Sequence, residues 1–139
     1  MPTSASNGYQ RLENRALYGT ACSGTSGAPT FDIGSAIPGN AAFAVTMAQA
    51  RPNELAVLFV SLGGQPAPCG PQFDPGQLLG PGLVALTDAT GTVTWPLPLP
   101  SGLPAGPYFL QAAVLDPSGA LQLGGVALAT TRGRTMRVY

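Results

Sequence analysis

The sequence predicts an all-β chain, an immunoglobulin-like sandwich of two antiparallel sheets with seven to nine short strands. Three observations lead there. Turn signals recur about every ten residues, at spacings that suit short strands joined by tight loops. Apolar residues alternate with period two in several of the intervening segments, and no stretch competes with a helical period. The longest nearly unbroken apolar run, from Tyr108 to Leu115, is interrupted only by Gln111 and ends in the turn sequence Asp116-Pro117-Ser118-Gly119.

The elements follow in order. Residues 1–17 are polar and carry Arg11, Glu13 and Arg15, three of the chain's twelve charges; they read as an N-terminal arm able to add as a strand to a neighbouring subunit. Residues 18–139 form the single sandwich domain. The stretch 18–33, YGTACSGTSGAPTFDI, is broken by Gly and Pro and ends in a short strand over 30–33. Residues 40–50 alternate cleanly, with Phe43, Val45 and Met47 on one face, the pattern of a half-buried antiparallel strand. The run LAVLFVSL at 55–62 is continuously apolar, which predicts a central strand buried on both faces. Residues 63–80 are rich in Gly and Pro and contain Cys69; so long a loop calls for an anchor and is a place for function.

A strand over 83–86 and a turn over 87–91 come next. In TVTWPLPL at 92–99, Val93, Trp95 and Leu97 alternate with Thr94, Pro96 and Pro98. Proline cannot donate to a ladder, so this strand belongs at an edge. Then comes 107–123, read as a buried strand, a tight reversal and a return strand. Strands over 126–128 and 135–139 complete the chain, the last with Met136 and Val138 facing in.

Composition narrows the function. The 139 residues suffice for one domain with a real core, and no apolar run approaches the roughly 20 residues that span a bilayer. Only 9 % of residues are charged and the net charge is zero, against about 25 % charged in an ordinary soluble domain. Neither a nucleic-acid partner nor a polybasic membrane contact fits that balance. Weak charge repulsion suits close packing against other copies of the chain, although a compositional drift towards Ala, Gly, Pro and Arg would look the same.

With no His and no Lys, the chain lacks the makings of a Ser-His-Asp or Cys-His arrangement, an imidazole metal ligand or a Schiff base. Cys22 and Cys69 are two thiols in a reducing compartment or one disulfide in an oxidising one, and the composition favours the second. A bridge would close a loop of about 47 residues, worth on the order of 4 kcal/mol. The first eight residues lack the basic start and apolar core of a secretory signal, which leaves a fragment of a longer precursor, export by another route, or retention inside the cell, and the first is the expectation.

Candidate sites compete with plainer roles. Asp74, Asp88 and Asp116 each precede a Gly by two or three residues, which type I turns prefer and which a calcium site could use only if the acids converged. An enzyme would need a carboxylate pair such as Asp74 and Asp88 within about 5–10 Å. Arg132, Arg134 and Arg137 could contact a partner or lie on a solvated strand face. Trp95 and the aromatics Tyr9, Tyr18, Phe73 and Tyr139 could form a sugar-stacking platform, but the phase of Trp95 with Val93 and Leu97 points to the core. Gln111, inside the buried run, needs polar partners, expected from a crossing loop backbone such as the Cys22 segment.

Three stretches, YGTACSGTSGAPTF at 18–31, LTDATGTVTWPLPLP at 86–100 and YFLQAAVLDPSG at 108–119, together resemble a family of Gly/Pro-rich secreted domains of planctomycetes, myxobacteria and related bacteria. The resemblance implies a Cys22–Cys69 disulfide and an extracellular or cell-surface setting, often at the end of a longer chain. It implies no catalytic residue, and the RGRTMRVY ending departs from that family's apolar last strand. The expected function is a non-enzymatic extracellular structural module that associates with copies of itself or other surface proteins, without a cofactor. The alternative is a binding or adhesion module of a larger secreted protein, with carbohydrate as one ligand class.

Overall fold

The structure, a computed structural model, describes residues 16–138. The expected arm therefore lies outside the described residues up to position 15, as do Tyr9 and Tyr139. The described chain is built from ten strands and a single 3-10 turn: β1 Leu17–Tyr18, β2 Thr30–Ile33, β3 Ala44–Ala48, β4 Leu55–Ser61, the turn Pro75–Gln77, β5 Leu83–Leu86, β6 Val93–Pro96, β7 Gly106–Leu115, β8 Leu121–Leu123, β9 Val126–Thr130 and β10 Gly133–Val138. No described helix is long and apolar enough to cross a membrane.

The strands form two antiparallel sheets. The small one has the order β2-β3-β6 and the large one β1-β10-β7-β4-β5, with β9 also on β7 and β8 outside β9. β7 organises the molecule. Its first half pairs with β10 and its second half with β9, along one side, while β4 runs along the other. The switch from β9 to β10 falls at Thr131, whose hydroxyl accepts from Ala112 N at 3.1 Å and so stands in for a backbone carbonyl. Tyr108, Leu110, Ala112 and Val114, alternate residues of β7, are buried in the core between the sheets. β3 answers from the small sheet with Val45 and Met47, as its alternation predicts.

Two elements depart from expectation. The reversal after β7 is a turn, closed by Gly119 N–H on Asp116 O at 2.8 Å, yet β8 does not return along β7. It makes a hairpin with β9, and β9 takes the place beside β7. Gly124 and Gly125, with φ of 57° and 82°, allow the two-residue reversal that ties β8 to β9. β4 is central, as its apolar run predicts, but only one of its faces is sealed. Ala56 and Leu58 are buried, whereas Leu55 is exposed and Val57 and Phe59 are half-buried. The apolar residues of its second face belong to an outer surface.

β6 lies at an edge, in agreement with its prolines. Cys22 and Cys69 form a disulfide with Cα atoms 4.8 Å apart. Cys22 itself exchanges backbone hydrogen bonds with Thr130 in β9, so the bridge fastens the 63–80 loop to the rim of the large sheet.

Candidate functional site

The outer face of the large sheet is where this fold places chemistry that its core does not need. β4, β5, β7, β8 and β9 contain no charged residue. Leu55, Val57 and Phe59 of β4 stand on the outer face. Cross-strand pairing puts Val84 beside Val57 and Leu86 beside Leu55, Ala113 on the other side of Val57, and Leu128 beside both Leu115 and Leu121. The result is one uncharged surface from β5 to β8.

The 63–80 loop covers part of it. Phe73 stacks on Phe59 with ring centroids 4.8 Å apart. Gly64 lies so close to Phe109 that a Cβ there would fall 2.7 Å from the ring, so the loop backbone itself caps that side chain. On the far side of Phe109, Tyr18 meets it edge-on at 6.0 Å.

Beneath the loop is a polar network. Gln111, 2 % exposed, accepts from Gln72 N at 2.8 Å and donates to Gly70 O at 3.0 Å and Thr131 O at 2.9 Å. Its partner is thus a crossing loop backbone, as expected, but that of the Cys69 segment and not the Cys22 segment. Gln72, fully buried, accepts from Ala67 N at 2.7 Å and donates to Ala67 O, Gly70 O and Thr20 O. Tyr18 donates to Gln72 O at 2.8 Å, and burial pushes its hydroxyl pKa up to about 12. No described buried side-chain polar atom lacks a partner, so the network closes on itself. Gln72 and Tyr18 carry no signal in the sequence beyond a polar residue between Pro71 and Phe73 and an aromatic near Cys22.

Beyond the loop the face is bare. Val84 and Leu86 are each 67 % exposed, and Leu55, Leu123 and Val126 are exposed as well. Where covered and bare parts meet, Val57, Phe59, Pro71, Phe73, Leu121 and Leu128 line an apolar cleft of about 100 Å³. Burying Val84 or Leu86 against another surface would contribute about 1–2 kcal/mol each.

The other candidate residues are dispersed. Trp95 is 5 % exposed and donates its indole N–H to Leu83 O at 3.0 Å; the ring face a sugar would stack on is turned into the core. Arg132 donates to Gly19 O and Arg134 to Phe31 O, with Arg134 also 3.8 Å from Asp32. These two guanidinium groups line one cleft at the β2 and β10 rims. Arg137 is exposed and, by alternation with buried Met136 and Val138, points to the opposite face.

The three acids serve their turns. Asp74 accepts from Gly76 N and Gln77 Nε2. Asp88 accepts from the Thr90 hydroxyl and from Thr90 and Thr92 N–H, and these bonds hold its carboxyl below the ordinary value. Asp116 is buried and reaches across to Thr25, accepting from its N–H at 2.7 Å and its hydroxyl at 2.6 Å. Burial opposes its ionisation, but the Thr25 and Ser118 hydrogen bonds and the charge of Arg51 outweigh that and lower its pKa. Among the described residues no three potential metal ligands cluster.

No protein-family model, no curated protein and no solved structure matches this chain.

Proposed function

We propose that the chain is a non-enzymatic, extracellular structural module that assembles with copies of itself through the bare part of its large-sheet outer face. The observation that carries this reading is the uncharged apolar surface around Val84 and Leu86, in a chain of zero net charge. Exposed apolar surface of that kind on a soluble domain marks a contact site. A face without charge meets no electrostatic penalty against its own copy. The Cys22–Cys69 disulfide supports an oxidising, extracellular setting, and the resemblance to secreted Gly/Pro-rich bacterial domains belongs to the same proposal. Light scattering and electron microscopy of the purified chain over a concentration series test it. Mass rising with concentration, insensitive to salt, is expected; a strict monomer at several hundred micromolar sinks the reading.

A second reading, a binding or adhesion module, draws on the cleft beside Phe59 and Phe73. Gln111 and Thr130 are the polar groups in its wall: both donor protons and the acceptor of Gln111 are already engaged inside the protein, and the Thr130 hydroxyl accepts from Cys22 N–H. The cleft therefore suits an aliphatic or aromatic group better than a sugar. Titration with a small apolar fluorophore checks this: binding abolished by Leu128→Glu supports it, and binding indifferent to that change removes the cleft from consideration.

A further inference from the structure

An antiparallel ladder alternates residues that bond to the neighbour with residues that point away from it. In β4–β5, Thr87 N–H donates to Glu54 O at 2.9 Å. With the observed register, Ala85 and Leu83 therefore bond to Ala56 and Leu58, and Val84 and Leu86 turn their N–H and C=O groups outward. Among the described residues no strand lies on that side of β5.

The same parity, applied to the other edges, finds a guard or too little strand. In β6, Leu97 N–H bonds Phe43 O, so Thr94 and Pro96 point outward, and Pro96 has no N–H. In β2, Gly34 N–H bonds Ala44 O, so Phe31 and Ile33 point outward; Arg134 Nε and Nη2 occupy the Phe31 carbonyl at 3.2 and 2.7 Å, and the Asp32 carboxylate accepts from Ile33 N–H at 3.1 Å. β1 and β8 have only two and three residues, and each turns one residue outward. Proteins normally block sheet edges by proline, charge or covering groups. β5, with two consecutive outward residues, has none of these among the described residues.

We propose that β5 pairs antiparallel with β5 of a second copy about a two-fold axis through Ala85. This rests on the self-association reading and specifies its geometry. Val84 then faces the partner's Leu86 and Leu86 faces the partner's Val84. Each such pair exchanges two N–H···O=C bonds, four in all. The register uses both outward residues of β5 on each copy, as a two-fold contact requires. The small Ala85 falls at the close, non-bonded position on the axis. On the outer face, each Val84 packs on the partner's Leu86, and the bare surfaces of the two copies join into one. The two large sheets become continuous through the dimer.

Amide hydrogen exchange by NMR on the full chain, at micromolar and at several hundred micromolar concentration, tests the pairing. The Val84 and Leu86 amides are expected to exchange at least tenfold more slowly at high concentration. The Ala85 amide, bonded to β4 at both concentrations, is the internal control and should not respond. Val84→Pro removes an outward N–H without breaking the β4 ladder and should melt as the parent does while remaining monomeric. If the chain associates but the Val84 and Leu86 amides do not respond, or if a folded Val84→Pro associates like the parent, the edge pairing is wrong while self-association stands through another surface. If nothing associates, both fall. Should Val84→Pro fail to fold, the exchange measurement on the unaltered chain decides alone.

Discussion

The outer face of the large sheet contains two regions of similar side chains with opposite treatment. Around Phe59, Phe109 and Gln111 the 63–80 loop is held by a disulfide, ring contacts and a closed set of hydrogen bonds. Around Leu55, Val84 and Leu86 nothing in the described chain covers it. An apolar sheet face has to be buried against something. The first region is closed by the chain's own loop at the cost of buried polar groups. The second region has no cover among the described residues, and its edge lacks the proline and arginine guards seen at β6 and β2. The difference is that the described chain seals the first region and leaves the second exposed, which is the surface proposed above as a contact between copies.

The comparison can be broken from the covered side first. Replacing both Cys22 and Cys69 by Ser should cost the largest amount, about 4 kcal/mol in urea unfolding. It should also raise the binding of an apolar dye as the loop loosens from Phe59 and Phe109. A loss below about 1 kcal/mol would mean that loop-closure entropy is not what the bridge contributes.

Gln111→Leu comes next. It leaves Gln72 N–H and Thr131 O without the partners they have in the parent and takes from Gly70 O one of its two donors, the other being Gln72 Nε2, so about 2–3 kcal/mol should be lost in the same measurement. If the loss is negligible, the network is not what holds the loop down.

Asp116→Asn sharpens the comparison by testing a buried carboxylate away from the outer face, and should cost about 2 kcal/mol near neutral pH. Because the folded-state pKa of Asp116 is lowered, its contribution is present above the unfolded-state value near pH 4. It is lost as pH falls through the lower folded-state value. The parent should therefore lose stability below about pH 4, and Asp116→Asn should flatten that decline. The flattening should be incomplete, because the Asp88 pKa is lowered too. An unchanged pH profile would contradict the Thr25 contact.

The smallest effect on stability belongs to the bare region. Leu86→Glu should change unfolding free energy by no more than about 0.5 kcal/mol, yet remove self-association. A large loss of stability would mean that Leu86 is covered within its own chain.

Much of the architecture was legible from local pattern. Period-two alternation placed β3, the prolines of TVTWPLPL placed β6 at an edge, and the phase of Trp95 placed its ring in the core. Pattern failed where the answer depended on a partner far along the chain. An unbroken apolar run such as LAVLFVSL records that both faces are apolar, not what covers each, so β4 read as doubly buried. The turn after β7 is as local as the Gly124-Gly125 turn after β8, and neither records that β9 would take the place of β8 beside β7. Gln111 announced a need for polar partners, but nothing in the spacing pointed to Gln72, whose role depends on where a covalently anchored loop comes to rest. The bare face was invisible for the same reason, since exposure is a property of the assembled sheet.

The central claim is that the uncovered region is a contact between copies. Sedimentation velocity of the parent chain and of Leu86→Glu, from a few to several hundred micromolar, tests it most directly. The parent boundary is expected to move faster with concentration, and the Leu86→Glu boundary to stay monomeric with unchanged melting temperature. A parent that remains monomeric throughout, or a folded Leu86→Glu that associates as the parent does, would contradict it.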